Sequence, residues 1–229
     1  MPTPRELVET LGGHPADALG LDLASDTGLW RWLVAACLLG APEPKGIAGF
    51  RALEADDCDP AALAGSSATE LALRLEAAGL PRPERAALTL VRAADALASR
   101  HAGSLGALLA EAGDLEALGG SLVGLAPGLG AGTALRFLRP LRDRLPGAAE
   151  TPPAAPALAA AACLGWLPAD LDPESAEAEL LRLLEGAEDA APRDVEAALE
   201  RLGAASCKAQ RPGRCPLAAD CPLRYRQGP

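Results

Sequence analysis

Aromatic residues are scarce in this chain. They make up 3% of its 229 residues, while hydrophobic residues of all kinds make up 49%. A chain of this length can bury a sizeable core, and leucine, alanine and valine must supply most of it. β-branched residues are also sparse, whereas alanine and leucine, which favour helices, are abundant. This composition predicts an all-α fold and disfavours a sheet.

Long hydrophobic runs and an export signal are missing as well. The longest apolar stretches, residues 33–41 and 154–167, are too short or too rich in alanine to span a bilayer. The N-terminal segment, Met-Pro-Thr-Pro-Arg-Glu-Leu, contains no hydrophobic export region. We therefore expect a cytoplasmic protein that has no membrane partner.

Positive charge is in short supply. The net charge is −10, and the only lysines are Lys45 and Lys208. This balance argues against a protein whose whole surface is basic for nucleic-acid binding. Arginines nevertheless gather in residues 136–144, where Asp143 is the one acid. That local excess favours contact between this segment and phosphate.

Proline and glycine divide the chain into helix-length segments with helical hydrophobic periodicity. About ten helices follow from this pattern, and no segment has the alternation of a strand. Residues 29–39 are apolar nearly all round, which predicts a buried central helix. Residues 132–145 are predicted to form one helix, and residues 146–156 are the best candidate for a linker. The other predicted helices cover residues 69–78, 84–98, 105–112, 154–165, 174–184 and 193–202.

A turn rich in glycine joins two of these helices at residues 125–134, Leu-Ala-Pro-Gly-Leu-Gly-Ala-Gly-Thr-Ala. Its glycines permit positive φ angles and close backbone approach. Because the second helix starts just after Gly130, its first N–H groups have no partner within the helix and point outward. Such a helix end binds phosphate without a positive side chain. Taken alone, a Gly-x-Gly turn between helices is also ordinary turn chemistry.

This turn resembles the Leu-Pro-Gly-Val-Gly-x-Lys-Thr-Ala hairpin of endonuclease III-like helix-hairpin-helix DNA glycosylases. Three other segments resemble the same family and occur in the family's order. They are residues 30–39, which look like its first core helix, Gly79-Leu80 with Arg85-Ala86, and the Cys-Pro-Leu-Ala-x-x-Cys ending of residues 215–221. The chain is thereby identified as a degenerate member of this superfamily.

The resemblance implies a two-domain fold. Residues 25–147 would form a six-helix barrel domain that carries the hairpin. Residues 1–24 and 148–229 would form a terminal helical domain with a cysteine loop at residues 207–221. A monomer would bind double-stranded DNA between the domains without sequence specificity and flip the target base into a pocket. The DNA-contacting residues implied are Leu125, Gly128, Leu129, Gly130, Gly132, Thr133, Arg136 and Arg139.

Several positions that carry chemistry in the family differ here. Bifunctional members use a lysine amine in the hairpin to form a Schiff base, and Gly132 occupies that position in this chain. We therefore expect no abasic-site lyase activity. The polar run that follows the family's first core helix, and fills the gap left by the flipped base, is replaced by the apolar residues 39–42.

The family's essential aspartate has no clear counterpart. Counting forward from the hairpin places Glu150 at this position, whereas counting backward from the Leu164-Gly165 pair leads to a position near Ala154. If the first count holds, Glu150 is the catalytic carboxylate that stabilises positive charge on the sugar or activates water. Otherwise it is a solvated loop carboxylate.

Three of the six cysteines, Cys207, Cys215 and Cys221, have the spacing Cys-x7-Cys-x5-Cys. The family binds a [4Fe-4S] cluster through four cysteines, so one ligand is missing here. Four alternatives stay open for this loop: a cluster with an external fourth ligand, a loop without a cluster, a zinc site, or a disulfide. Cys58 is a conceivable distant ligand. His14 and His101 have no metal-ligand partners in the sequence, and we expect them at the surface or at helix caps.

Three functions from different classes remain. The leading one is an endonuclease III-like DNA-binding protein of the base-excision-repair type, whose glycosylase activity is weak or lost. The second is an active monofunctional DNA glycosylase that uses Glu150. The third is a protein-interaction module that keeps the fold but no longer binds DNA, which the net charge of −10 favours.

Overall fold

The computed structural model describes residues 1–54, 58–168, 170–207 and 215–217. Within these residues the chain forms thirteen α-helices and no β-strand, which confirms the all-α prediction. No helix in the described part of the chain has both the length and the apolarity that a bilayer crossing requires. The helices are α1 (Pro4–Leu11), α2 (Pro15–Ala18), α3 (Asp26–Leu38), α4 (Glu43–Glu54), α5 (Pro60–Ala64), α6 (Ala68–Ala77), α7 (Pro83–Arg100), α8 (Leu105–Ala110), α9 (Leu115–Val123), α10 (Ala131–Leu138), α11 (Ala155–Leu164), α12 (Pro173–Glu185) and α13 (Pro192–Leu202).

The chain divides into two compact units. The first combines Met1–Ala18 with Pro152–Pro229, and the second is the continuous segment Leu19–Thr151. The first unit therefore contains α1, α2 and α11 to α13, while the second contains α3 to α10.

The second unit is built around α3. Residues 32–36 are all buried, so every face of this helix is covered, and the predicted buried central helix is confirmed. Its neighbours include α4, α7, α8 and α10. The indole N–H of Trp30 donates to the carbonyl of Cys58, and that of Trp32 donates to the carbonyl of Phe137, both at 3.0 Å. The two largest side chains of the core are thus tied to backbone groups of distant segments.

The first unit packs α1 and α11 against α13. Its core is small-residue rich, with Ala157, Ala160 and Ala161 beside Leu199 and Leu202. Alanine lets the helices approach closely, because no side chain beyond Cβ separates their backbones. The unit therefore combines close helix backbones at these alanines with leucine side chains that fill the rest of the core.

His14 lies in this unit and is only 8% exposed. The Nδ1 atom of its ring accepts a hydrogen bond from the Ala16 backbone N–H at 3.2 Å, and the backbone N–H of His14 donates to Asp194 Oδ1 at 2.7 Å. Burial, together with the positive charges of Arg193 and Arg201, lowers the pKa of His14 to about 3. His14 is thus a buried cap residue at the start of α2, which is one of the two positions expected for it.

The predicted helix over residues 132–145 is also wrong in its extent. The α-helix ends at Leu138, and a 3-10 turn, Arg139–Leu141, follows it. Pro140 explains the break, because it lacks an N–H and cannot continue the helical hydrogen-bond ladder. The predicted linker, residues 146–156, is structured at both ends, with a second 3-10 turn, Pro146–Ala148, and the start of α11 at Ala155.

Candidate nucleic-acid interface

The glycine-rich turn joins α9 and α10, which pack against each other. Leu125 and Leu129 are 3% and 2% exposed, so their side chains anchor the turn in the core. Gly128, between them, has a φ of +103°, a conformation that only glycine adopts without strain. The sequence therefore folds here into a tight helical hairpin whose apolar residues point inward and whose glycines stay at the surface.

The hairpin presents a short row of exposed backbone N–H groups. Within the described residues, no hydrogen-bond acceptor is assigned to the amides of Gly128, Gly130, Ala131 and Gly132. Gly130 is the N-cap of α10 and provides no side-chain cap, and residues 130–132 are all exposed. Amides at a helix start carry partial positive charge and bind anions. This arrangement can hold a phosphate oxygen without help from a side chain.

Helix α7 lies directly behind the turn. A Cβ built on Gly128 would be 2.5 Å from Oγ1 of Thr89, which is closer than a real Cβ contact allows. The Thr89 hydroxyl donates to the Arg85 carbonyl at 2.8 Å and is also 3.4 Å from the Pro127 carbonyl. The hairpin is therefore held against α7 by a contact that leaves no room for a side chain at position 128.

The two hairpin arginines are both half-buried. Arg136 donates from Nη1 to the Ala36 carbonyl at 3.2 Å, at the carboxyl end of α3, and its positive charge complements that helix end. Arg139 lies in the 3-10 turn and also has an interaction partner. Substituting either residue would thus disturb packing as well as any contact with phosphate.

A pocket of about 260 Å³ opens beside the hairpin. We call it the arginine pocket, and its polar and ionisable lining residues are Arg82, Arg85, Thr89, Thr133 and Cys37. It lies between the amino end of α7, the turn after α3 and the hairpin. No aspartate or glutamate is among the described residues that line it.

The sequence prediction missed Arg82. This residue adopts a left-handed conformation, with φ 56° and ψ 52°, directly before the first proline of α7. A signal was present in the sequence, since Pro-Arg-Pro before a helix leaves the arginine at the helix start. Arg85, which the family resemblance did include, lies one turn further along and is exposed.

Cys37 lines the arginine pocket but is a poor nucleophile. Burial raises the pKa of its thiol to about 12, and the positive charge of Arg136 offsets only part of this effect. The thiolate is the reactive form of cysteine, so Cys37 stays protonated at neutral pH. Its role in the pocket is that of a small apolar side chain.

The two positions expected to matter for catalysis are both exposed. Gly132 lies in the first turn of α10, where it provides a backbone N–H but no amine. Glu150 lies in the turn after Pro146–Ala148 and is not among the residues that line the arginine pocket. Next to it, the buried Thr151 accepts a hydrogen bond from Arg142 Nε at 2.7 Å through its carbonyl oxygen.

Of the three loop cysteines, the structure describes Cys207 and Cys215, whereas Cys221 lies outside the described residues. Both described thiols are half-buried and pack against the apolar core of the first unit, close to Leu217. No cluster of three or more His, Cys, Asp or Glu side chains suited to a metal occurs among the residues described. The described residues do not decide between a cluster, a loop without a cluster, a zinc site and a disulfide, so all four alternatives stay open.

Cys58 belongs to the second unit and is 5% exposed. Burial raises the pKa of its thiol to about 11. In the absence of a metal this thiol is protonated and packs as a small apolar side chain, and Cys58 as the distant metal ligand stays a prediction.

No protein-family model and no curated protein sequence matches the chain. Its function is therefore inferred from the geometry of its own residues.

Proposed function

We propose that this chain is an endonuclease III-like helix-hairpin-helix protein that binds double-stranded DNA through the hairpin of residues 125–133, without sequence specificity, and that its glycosylase activity is weak or lost. The observation that carries the proposal is the row of exposed amides at Gly128, Gly130, Ala131 and Gly132. Backbone amides recognise phosphate oxygens and read no base sequence, which is why we expect binding to be non-specific.

Loss of chemistry follows from the same hairpin. The position where the resemblance implies a Schiff-base lysine carries Gly132, which has no side chain. Glu150, the one candidate carboxylate, is exposed and does not line the arginine pocket. A carboxylate that stabilises a developing cation works best where water is excluded, so its exposure favours DNA binding over catalysis.

The proposal is tested with a variant that deletes one amide and keeps the fold. Ala131 is the first residue of α10, and Gly130 before it is extended, with φ −93° and ψ 168°. Proline is well tolerated at this helix position and after an extended residue. Ala131→Pro therefore removes a single N–H, and we expect it to weaken duplex binding roughly tenfold, the value of one charge-assisted hydrogen bond.

The matched control is Ala68→Pro. Ala68 is the first residue of α6 and follows the extended Ser67, so this substitution removes an equivalent amide outside the hairpin. Binding is measured by fluorescence anisotropy on a covalently closed duplex, which has no strand ends, over a series of salt concentrations. We expect the logarithm of the affinity to fall with the logarithm of the salt concentration.

The other two functions give different outcomes. If the wild-type chain does not bind the closed duplex at low salt, the protein-interaction module replaces the DNA-binding proposal. If a panel of lesion-containing duplexes reveals base release that Glu150→Gln abolishes, the chain is an active monofunctional glycosylase. Equal affinities of Ala131→Pro and Ala68→Pro would show that DNA binding does not use the hairpin amides.

A further inference from the structure

We propose that the arginine pocket binds a phosphate monoester, the dianionic group that a free mononucleotide or the end of a DNA strand carries. The net charge of the chain is −10, yet this recess has two arginines and no carboxylate among the described residues that line it. Both Arg82 and Arg85 are exposed, so their guanidinium groups are accessible to a ligand. Arginine is suited to phosphate because its N–H groups form paired hydrogen bonds with two oxygens.

The position of the arginines on α7 supports an anionic ligand. Arg82 is the N-cap of this helix and Arg85 is in its first turn. The start of a helix carries partial positive charge, so cations there are placed unfavourably. Glu84 in the same turn offsets part of this charge, and a bound dianion would offset the rest.

The opposite wall of the pocket adds neutral polar groups. Gly128 and Thr133 of the hairpin line it, so the Thr133 hydroxyl and the Gly128 backbone lie in the same recess as the arginines. Two guanidinium groups match the charge of a monoester, which is close to −2 at neutral pH, better than the single charge of an internal phosphodiester. With about 260 Å³, the pocket is smaller than most small-molecule sites, which favours recognition of the phosphate over recognition of the base.

This inference goes beyond duplex binding, and the two proposals can fail separately. A covalently closed duplex contains no monoester and reports on the hairpin amides alone. A mononucleotide contains no duplex, and its loss of affinity in variants of Arg82 and Arg85 reports on the arginine pocket.

The test uses isothermal titration calorimetry at low salt on the full chain. The two ligands are 2′-deoxyadenosine 5′-monophosphate and 2′-deoxyadenosine, which lacks the phosphate. We expect the monophosphate to bind and deoxyadenosine to bind at least roughly tenfold more weakly. Arg82→Gly deletes the guanidinium and places glycine in a left-handed conformation that it adopts freely. We expect this variant and Arg85→Gln each to lose about tenfold in affinity for the monophosphate.

Arg92→Gln is the matched control. Arg92 belongs to α7, is exposed and does not line the pocket, so its loss changes the net charge equally. We expect it to bind the monophosphate like the wild type. Equal affinities for deoxyadenosine and its monophosphate, no binding at millimolar concentrations, or equal losses in Arg92→Gln and Arg82→Gly would overturn the proposal.

A DNA hairpin with and without a 5′-phosphate identifies the source of the monoester. If the 5′-phosphate raises the affinity of the DNA hairpin and Arg85→Gln abolishes this gain, the pocket recognises strand ends. If the 5′-phosphate leaves the affinity of the DNA hairpin unchanged while Arg85→Gln weakens binding of the free mononucleotide, the pocket recognises free nucleotides. No effect of the 5′-phosphate on the DNA hairpin, combined with no effect of Arg85→Gln on the mononucleotide, refutes both sources.

Discussion

Replacing Gly128 with alanine should destabilise the protein by roughly 2–6 kcal/mol. The first part of this cost is the backbone, since a φ of +103° strains any residue that has a Cβ, by roughly 1–3 kcal/mol. The second part is steric, because the new Cβ would lie 2.5 Å from Thr89 Oγ1. Overpacking of this kind costs about 1–3 kcal/mol. Urea unfolding followed by far-UV circular dichroism measures the sum.

A double-mutant cycle separates the two parts. Thr89→Ala removes the atom that the new Cβ would meet and costs about 1 kcal/mol by itself, through its hydrogen bond to the Arg85 carbonyl. In this background we expect Gly128→Ala to cost about 1–3 kcal/mol less than in the wild type, because only the backbone strain remains. An unchanged cost would show that Thr89 does not confine the hairpin.

Gly120→Ala is the control for the same cycle. Gly120 lies within α9, is exposed, and has no atom within 4 Å of a Cβ built on it. Alanine in a helix interior is favoured over glycine by roughly 0.5–1 kcal/mol, so this substitution should stabilise the protein. Opposite signs for the two substitutions are the expected result, and a cost below about 0.5 kcal/mol for Gly128→Ala would refute the reasoning.

Three further predictions concern chemistry and pH. Because Gly132 has no amine, borohydride should trap no covalent complex with abasic-site DNA, and efficient trapping would show that another amine serves. Burial lowers the pKa of His14 to about 3 from its usual value of 6.5. Between pH 3 and pH 6.5, the unfolded chain therefore binds a proton that the folded chain does not. Stability should therefore fall as the pH falls, by up to roughly 1.4 kcal/mol per pH unit, and denaturant titrations should show a smaller fall for His14→Asn. Protein purified without oxygen should contain no stable iron–sulfur cluster, as judged by iron content and visible absorbance. Near-stoichiometric iron that survives aerobic purification would contradict this, and serine variants would then identify the ligands among Cys207, Cys215 and Cys221.

Local sequence patterns predicted the helices well where the residues of the helix itself determine that it forms and which faces it buries. Residues 29–39 are apolar on all faces, and burial on all faces of α3 is what such a pattern requires. The prediction for residues 132–145 failed because it weighed hydrophobic periodicity above Pro140. A proline after eight helical residues ends the helix whatever the periodicity beyond it.

The site was harder to predict because its parts come from distant segments. The turn at Gly128 and Gly130 depends on neighbouring residues only, so the sequence alone predicted it. In contrast, the Arg136 side chain finds its acceptor 100 positions away, at Ala36, and nothing in the local sequence distinguishes it from a phosphate-binding arginine. Arg82 joins the hairpin in one pocket only through tertiary packing. His14 is buried for the same reason, since its partner Asp194 is 180 positions away.

The discontinuous first unit has a consequence for folding during synthesis. Helix α1 is synthesised before α13, against which it packs, and Gly13 and His14 meet Asp194 of α13. With 180 positions between His14 and Asp194, and synthesis at about 5–20 residues per second, roughly ten to forty seconds pass before α13 is available to α1. During this interval Leu7, which is fully buried in the finished protein, lacks its packing partners on α13. The continuous segment Leu19–Thr151 needs no such delay, so the order of synthesis favours folding of the hairpin-bearing unit before the unit that contains α1.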